Sequence, residues 1–400
     1  MKPFCLSLVC AFFALQNPPA VRSGEPQQAV DRIAAFGRDL AAKRGPGTYV
    51  DCPLSTYRAL AMVWAGAKNE TADQIARVLK DPGGRQFWAD LDAWQEMRRD
   101  LLGGPLPVSA QERLWIQADY PVEAGYVDFL SQRGLEAPGP VDFVSDPEKA
   151  RDQINRWAAA ATRNQVPALF PAGAFSGNTR VVLAGTVVFQ GRWETAFDPD
   201  QTRTETFRGR SGSAPVPLMH RKGRLVYAAD NGWQIVGLTF DDLGTQLIVA
   251  LPPEESAEWT DRIGAGGPID AWVAAGQERE VDLFLPRFSI SSSQDLSARL
   301  AELGMPDAFS RDRADFSGVN PELYLSGVFQ GVSIVVDESG VEAAAAAGAV
   351  LGAKGAFAPA MPPVVFRADR PFYFCVRDAL SGLVYFSGSL ADAPPAAAGD

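Results

Sequence analysis

Side chains that could carry out catalysis are few in this sequence, because it contains a single histidine, His220, in the stretch PLMHRKGR. A Ser-His-Asp or Cys-His site would have to use this histidine, yet no G-x-S-x-G turn presents a nucleophile to it. The carboxylates are scattered without metal-ligand spacing, and no P-loop or G-x-G-x-x-G motif stands at a strand-helix junction. We therefore interpret His220 as an ordinary surface or turn residue, and we expect a binding or inhibitory protein without cofactor or metal, not an enzyme.

Composition and charge narrow the classes of partner. The chain has 400 residues, of which 46% are hydrophobic and 21% charged, so it can form a large globular core. The excess of 48 acidic over 37 basic residues gives a net charge of −11, which argues against nucleic acid because phosphate binding requires a basic face. No hydrophobic run approaches the length of a membrane span, so we expect no membrane partner. We also expect the protein to be a monomer.

The N-terminal stretch has the features of a secretory signal. Lys2 precedes an apolar run from Pro3 to Leu15, and at about 13 residues this run is too short for a membrane helix, which needs about 20. We predict a signal peptide over residues 1–23, one domain over 24–394 and a disordered tail over 395–400. The protein is then expected to be secreted or extracellular, or periplasmic if the source is bacterial.

Removal of the signal leaves two cysteines, Cys52 and Cys375. In an oxidising compartment they could form one disulfide. Both lie in apolar surroundings, so two separate buried thiols are at least as well supported.

The order of predicted elements favours an α+β fold, because helices gather early in the chain and strands gather later. Helical spacing of apolar residues predicts helices over 30–43, 55–67, 72–79, 85–102, 147–162 and 294–303. Runs of β-branched and aromatic residues predict strands over 113–116, 179–189, 224–228, 233–238, 246–251, 333–336, 364–366, 372–376 and 383–386.

The stretch VSIVVDESGVEAAAAAGAVLGAKGAFAPAMPPVVF, residues 332–366, fits none of these elements as a whole. Five consecutive alanines would favour a helix. However, the preceding SIVV is typical of a strand, Gly348 and Gly352 interrupt a helix, and later prolines prevent one. A long segment without clear secondary structure is commonly functional or disordered.

This stretch resembles the hinge and reactive-centre loop of the serpins, on the residues DESGVEAAAAAG. Five further segments resemble serpin signatures in the same order along the chain. They are CPLS with ALAM at 52–62, IN with Trp157 and Thr162, VVFQGRWETAFDP around Trp193, LPRFSI at 285–290, and FRADRPFYFCVRD with GLVYFSGSL at 366–390.

The resemblance implies a fold with about eight or nine helices, three β-sheets and an exposed reactive-centre loop. It also implies a suicide mechanism, in which a protease cleaves the loop and the cut hinge inserts as a new strand into a large sheet. The hinge residues implied are Glu338, Gly340, Val341, Glu342, Ala343, Ala344, Ala345, Ala346 and Ala347.

The hinge composition suits insertion between two strands. Side chains alternate along a strand, so Val341, Ala343, Ala345 and Ala347 would share one face and Glu342 would lie on the other. A packed interior accepts the first set because all four residues are small and apolar. A solvated alanine-rich linker is the alternative that composition alone allows.

The scissile bond is predicted by counting from the hinge. The spacing usual in serpins, measured from Glu338, reaches Lys354 before Gly355, which implies a trypsin-like protease. Counting from the C-terminal side favours Phe357-Ala358 or Ala358-Pro359, which would suit a chymotrypsin-like or elastase-like enzyme. We favour Lys354, because the length of the inserted segment is the more constrained of the two.

The region where the sheet opens departs from the serpin pattern. The serines, asparagine and histidine common there correspond to Cys52, Ser55, Gly185 and Gln330, of which Ser55 alone agrees. A basic-acidic pair at the top of the insertion site is retained as Arg287 and Glu338, and the resemblance assigns the signature tryptophan, Trp193, to the opening region as well. The altered opening region supports the alternative of a non-inhibitory serpin that binds a partner without trapping a protease.

Overall fold

The computed structural model describes residues 25–45, 47–81, 87–102, 107–242, 244–254, 269–341 and 362–394. Within these ranges the helices, numbered in chain order, are α1 Glu25–Ala42, α2 Pro53–Gly66, α3 Asn69–Val78, α4 Phe87–Leu102, α5 Ala124–Ser131, α6 Pro147–Ala161, α7 Ile269–Ala275 and α8 Ser297–Leu303. No helix in the described part of the chain has the length and apolar character needed to cross a membrane.

One set of strands forms a sheet that we call sheet I. Its strands are β2 Val108–Gln117, β3 Gly139–Val141, β4 Val181–Phe189, β5 Gly191–Arg192, β11 Phe288–Asp295, β12 Gly327–Val336 and β13 Gly340–Val341. The order across the sheet is β3-β2-β4-β12-β11, and the short strands β13 and β5 continue it beyond the end of β12.

The remaining strands form sheet II. They are β1 Tyr49–Asp51, β6 Arg203–Arg208, β7 Ser213–Asp230, β8 Trp233–Thr239, β9 Thr245–Leu251, β10 Gln277–Pro286, β14 Val364–Arg367, β15 Phe372–Asp378 and β16 Val384–Leu390. Their order is β1-β16-β15-β9-β8-β7-β10-β14, with β6 paired to the start of β7. Two of the three sheets expected from the resemblance are thus joined, because the long strand β7 pairs first with β6 and β10 and then with β8.

Helix α2 lies beneath sheet I and packs against β2 and β4. Pro53 starts it, as suits a first turn where no backbone donor is needed. Its sequence, PLSTYRALAMVWAG, is apolar almost all round, and a helix of this kind is stable only inside a core. Strand β4 is buried at all nine positions, so the centre of sheet I is covered on both faces.

Most predicted elements are present, although several boundaries differ, since the strands predicted over 224–228 and 333–336 extend over Ser213–Asp230 and Gly327–Val336. The helix predicted over 294–303 begins at Ser297, and Gln294 belongs to strand β11. Gln294 instead pairs with Gln330 of β12 in the sheet.

Candidate functional site

Strands β4 and β12 lie side by side and parallel at the centre of sheet I. Their register pairs Gly327 with Val182 at one end and Ser333 with Val188 at the other. We call this pairing the β4/β12 seam. A strand inserted here would be antiparallel to both neighbours if it followed the direction of β13, which is antiparallel to β12.

The chain turns back tightly after β12 to begin the predicted hinge. The Asp337 carboxylate accepts hydrogen bonds from the backbone N–H of Ser339 at 2.8 Å and of Gly340 at 3.0 Å. Gly340 has φ of +152°, and a Cβ there would lie 2.2 Å from the carbonyl oxygen of Gly191, so only glycine fits. The chain at Gly340–Val341 is thereby held between β12 and β5.

Val341 is fully buried in the main core, on the inner side of sheet I. The predicted hinge residues Glu342, Ala343, Ala344, Ala345, Ala346 and Ala347, and the predicted bond between Lys354 and Gly355, lie outside the described residues.

Trp193 makes two hydrogen bonds to the turn that follows β12. Its indole Nε1–H donates to the carbonyl of Asp337 at 2.9 Å, and its backbone N–H donates to Ser339 at 3.0 Å. The ring stacks on Phe240 with centroids 4.6 Å apart. Trp193 therefore connects the hinge turn to the aromatic core.

Arg287 and Glu338, predicted as a pair, are in contact. The guanidinium donates from Nε at 3.1 Å and from Nη2 at 2.7 Å to the two carboxylate oxygens, and the Thr202 hydroxyl donates at 2.6 Å. Burial alone would raise the pKa of Glu338, but the hydrogen bonds from Arg287 and Thr202 outweigh it and lower that pKa below its usual value.

Glu338→Lys is expected to destabilise the intact protein by about 3 kcal/mol, because it replaces a buried paired carboxylate by a second cation facing Arg287. Thermal or urea unfolding of the intact protein measures this loss. Glu338→Gln is the matched control, since it keeps the shape and can still accept hydrogen bonds, and it should cost clearly less. Equal effects of the two variants would show that the charge at this position does not matter.

The same pair predicts a pH dependence. Because the folded pKa of Glu338 is lowered, its contribution to stability is present above the ordinary glutamate pKa of about 4.3 and is lost as the pH falls through the folded pKa. Glu338→Gln should lack this component.

Paired residues on four neighbouring strands form a row across the middle of sheet I, on its inner face. Glu112 of β2 pairs with Gly185 of β4, Gly185 with Gln330 of β12, and Gln330 with Gln294 of β11. We call this row the polar rung. Gln330, which is buried, donates to the carbonyl of Cys52 at 2.8 Å and to the Thr56 hydroxyl at 2.7 Å.

Gln330 also accepts from the backbone N–H of Cys52 at 3.1 Å, so it ties β12 to the start of α2. Gly185 leaves room for the Ser55 side chain of α2, whose Oγ lies 3.2 Å from where a Cβ at position 185 would be. The four residues aligned with the serpin opening region, Cys52, Ser55, Gly185 and Gln330, therefore lie together at the seam.

The family model for serpins, described as serine protease inhibitors, matches residues 34–393. This chain belongs to the serpin family. An uncharacterised serpin-like protein of Thermococcus kodakarensis is 30% identical over 382 residues, which cover 92% of this chain and 87% of that protein. The leukocyte elastase inhibitor of Equus caballus is 29% identical over 362 residues, covering 84% and 90%.

Among solved structures, uncleaved ovalbumin matches with a TM-score of 0.78 at 24% identity, covering 90% of this serpin and 99% of ovalbumin. The predicted α+β serpin fold is confirmed.

Cys52 and Cys375, the two cysteines among the described residues, are both free. Cys52 belongs to the main core and Cys375 to a separate cluster within sheet II, so the disulfide alternative is wrong for this structure. Burial raises the pKa of each thiol to about 12, which leaves both protonated and unreactive at neutral pH.

His220 is a strand residue of this serpin, which corrects its assignment to a turn or open surface. It lies in β7 opposite Phe284, and the two rings stack with centroids 4.5 Å apart. Its Nε2 lies 2.7 Å from the Asp282 carboxylate. These contacts account for the histidine as part of the packing of sheet II.

Sequence reasoning missed two charged residues at the polar rung, Arg58 of α2 and Glu112 of β2. Arg58 is the one charged residue of α2, and Glu112 has the same inward parity as the buried Leu114 and Ile116. A charge at a core position in each element was the signal that could have identified them.

Proposed function

We propose that this serpin is a secreted, suicide-type inhibitor of serine proteases, with trypsin-like enzymes as the favoured targets. In this mechanism a protease cleaves the loop that contains Lys354, and the hinge beginning at Gly340 then inserts between β4 and β12. The observation that carries the proposal is the closed β4/β12 seam, together with a hinge that enters sheet I at its end.

The geometry of the seam favours insertion on energetic grounds. One parallel pairing would be replaced by two antiparallel pairings, which are slightly more stable per residue. Since Val341 already faces the core, strand alternation directs Ala343, Ala345 and Ala347 to the same side, where small apolar residues fit. The name of the leukocyte elastase inhibitor is in keeping with an inhibitory role, and residues 1–23 support secretion.

The second candidate is a non-inhibitory serpin that acts as a binding protein. The composition of the polar rung favours it, because Gln330 bonds both Cys52 and Thr56 and so attaches β12 firmly to α2. Tight attachment would oppose opening of the seam.

Incubation with trypsin followed by a denaturing gel tests the proposal. A covalent adduct of inhibitor and protease is the expected result, whereas cleavage without adduct supports the binding protein. Ala345→Arg provides the matched control, because an unpaired charge on the inward face would block insertion. We expect that variant to be cleaved, to form little adduct and to release active protease. Undiminished adduct formation would show that position 345 never enters the sheet.

A further inference from the structure

A buried ion pair joins α2 to sheet I next to the seam. The Arg58 Nη2 atom lies 3.2 Å from Glu112 Oε2, and the side chain of Glu112 is 0% exposed while that of Arg58 is 20% exposed. Within the described residues, Arg58 makes no well-aligned hydrogen bond to either carboxylate oxygen of Glu112, and its Nε–H has no hydrogen-bond partner. A buried carboxylate needs good hydrogen bonds to offset its lost hydration, so this pair is poorly compensated.

The Arg58–Glu112 pair lies close enough to the seam to be affected when sheet I opens. Glu112 is the neighbour of Gly185 on the polar rung, and Gly185 is the seam residue opposite Gln330. Because glycine has no side chain, only the backbone of β4 separates the Glu112 side chain from the seam. The Ser55 hydroxyl also lies beneath Gly185 and is buried.

We propose that the buried Arg58–Glu112 pair is a built-in source of free energy that favours opening of the β4/β12 seam. The closed sheet hides the Glu112 carboxylate from water and leaves the Arg58 side chain 20% exposed, whereas an open seam would hydrate both groups. The proposal rests on the proposed function, because opening of the seam matters only if the hinge inserts there. Gln330, on the other side of the seam, opposes opening. Its hydrogen bonds to Cys52 and Thr56 are made in the closed state and stabilise that state.

The electrostatics of Glu112 agree with this direction. Burial raises its pKa, and Arg58 and Ser55 offset the rise only in part. The charged or titratable groups that face Glu112 in the described structure are Arg58 on α2 and the thiol of Cys52, the residue just before α2, and the thiol stays protonated because its pKa is about 12. A carboxyl with a raised pKa binds its proton more tightly in the closed state, so the closed state gains stability as the pH falls and loses it as Glu112 ionises.

Annealing of a synthetic peptide with the sequence of residues 339–350, SGVEAAAAAGAV, measures how readily the seam opens. The double variant Arg58→Met/Glu112→Leu replaces both charged side chains by apolar ones of similar size. We expect this variant to anneal the peptide about tenfold more slowly than the wild type, because its closed sheet no longer contains a buried ion pair. Arg58→Met alone leaves Glu112 buried without a counter-ion and should anneal faster. Circular dichroism of each variant verifies that it is folded.

The exposed pair Arg77–Glu70, with side chains 61% and 59% exposed, supplies the matched control. Arg77→Met/Glu70→Leu should leave the annealing rate unchanged, because an exposed pair contributes little. The wild type should also anneal more slowly at mildly acidic than at neutral pH, and the Arg58→Met/Glu112→Leu variant should lack that component.

The direction in which the Arg58→Met/Glu112→Leu variant changes the annealing rate tests this inference. If it anneals as fast as the wild type or faster, the pair is neutral or acts as a clamp, and this inference is overturned while the insertion mechanism stands. If the wild type does not anneal the peptide at all, the insertion mechanism is overturned and this inference with it.

Discussion

Protein nicked once within residues 342–361 is expected to unfold at a markedly higher temperature than the intact protein. In the intact protein the β4/β12 seam is a parallel pairing of two strands, and the described part of the hinge in sheet I is Gly340–Val341. After cleavage, every further hinge residue that inserts can form backbone hydrogen bonds to both neighbours, each with a net value of about 1 kcal/mol. Differential scanning calorimetry of the intact and nicked forms compares the two midpoints.

The Ala345→Arg variant separates the rise in unfolding temperature caused by strand insertion from other effects of cleavage. A nicked Ala345→Arg protein has the same broken chain but cannot place arginine on the inward face of sheet I without burying an unpaired charge. We expect its midpoint to stay close to that of its intact form. Equal midpoints for intact and nicked wild type would rule out strand insertion as the source of energy for the proposed mechanism.

Lys354→Ala is expected to reduce the rate of trypsin inhibition by at least about a hundredfold. A trypsin-like pocket gains a charge-assisted contact with lysine, and discrimination of this size follows when a buried charged group loses its partner. The thermal response to cleavage should be unchanged in the variant, because the proposed mechanism requires Lys354 to lie in an exposed loop, and such positions contribute little to stability. Second-order rate constants for trypsin, measured with the wild type and the variant, give the result.

Lys354→Arg is the matched control, since arginine also offers a cation to the pocket, and it should retain inhibition. Mass spectrometry of the C-terminal fragment released from the complex identifies the bond directly. A fragment beginning at Gly355 agrees with Lys354. A fragment beginning at Ala358 or Pro359 would assign the bond to Phe357 or Ala358 and indicate a chymotrypsin-like or elastase-like target.

Local sequence was sufficient for those parts of the fold whose causes are local. Helical spacing of apolar residues predicted the helix over 55–67, which forms at Pro53–Gly66, and the β-branched run predicted the strand over 179–189, which forms at Val181–Phe189. The turn after β12 follows from Asp337 and Gly340, because the aspartate accepts from backbone N–H groups and the glycine takes a positive φ. These features depend on neighbours within a few residues.

Strands with charged outer faces were harder to recognise. Strand β10, Gln277–Pro286, was not predicted, because its exposed side chains are mostly charged and only Val281, Leu283 and Leu285 mark its buried face. The helix Ala124–Ser131 was missed as well, since it is short and Glu123 at its start provides no side-chain cap.

The sequence by itself determined the family, the hinge composition and the contact partners Arg287 and Glu338, the last two through their resemblance to the serpin pattern. Only the tertiary structure decided that Glu112, Gly185 and Gln330 share one rung and that Arg58 reaches Glu112 beneath it. The physical reason is that strand register is set by pairing between distant segments, and a shift of one residue turns each side chain to the opposite face. Whether a charge in an apolar helix meets a partner, water or neither therefore depends on contacts that no local pattern encodes.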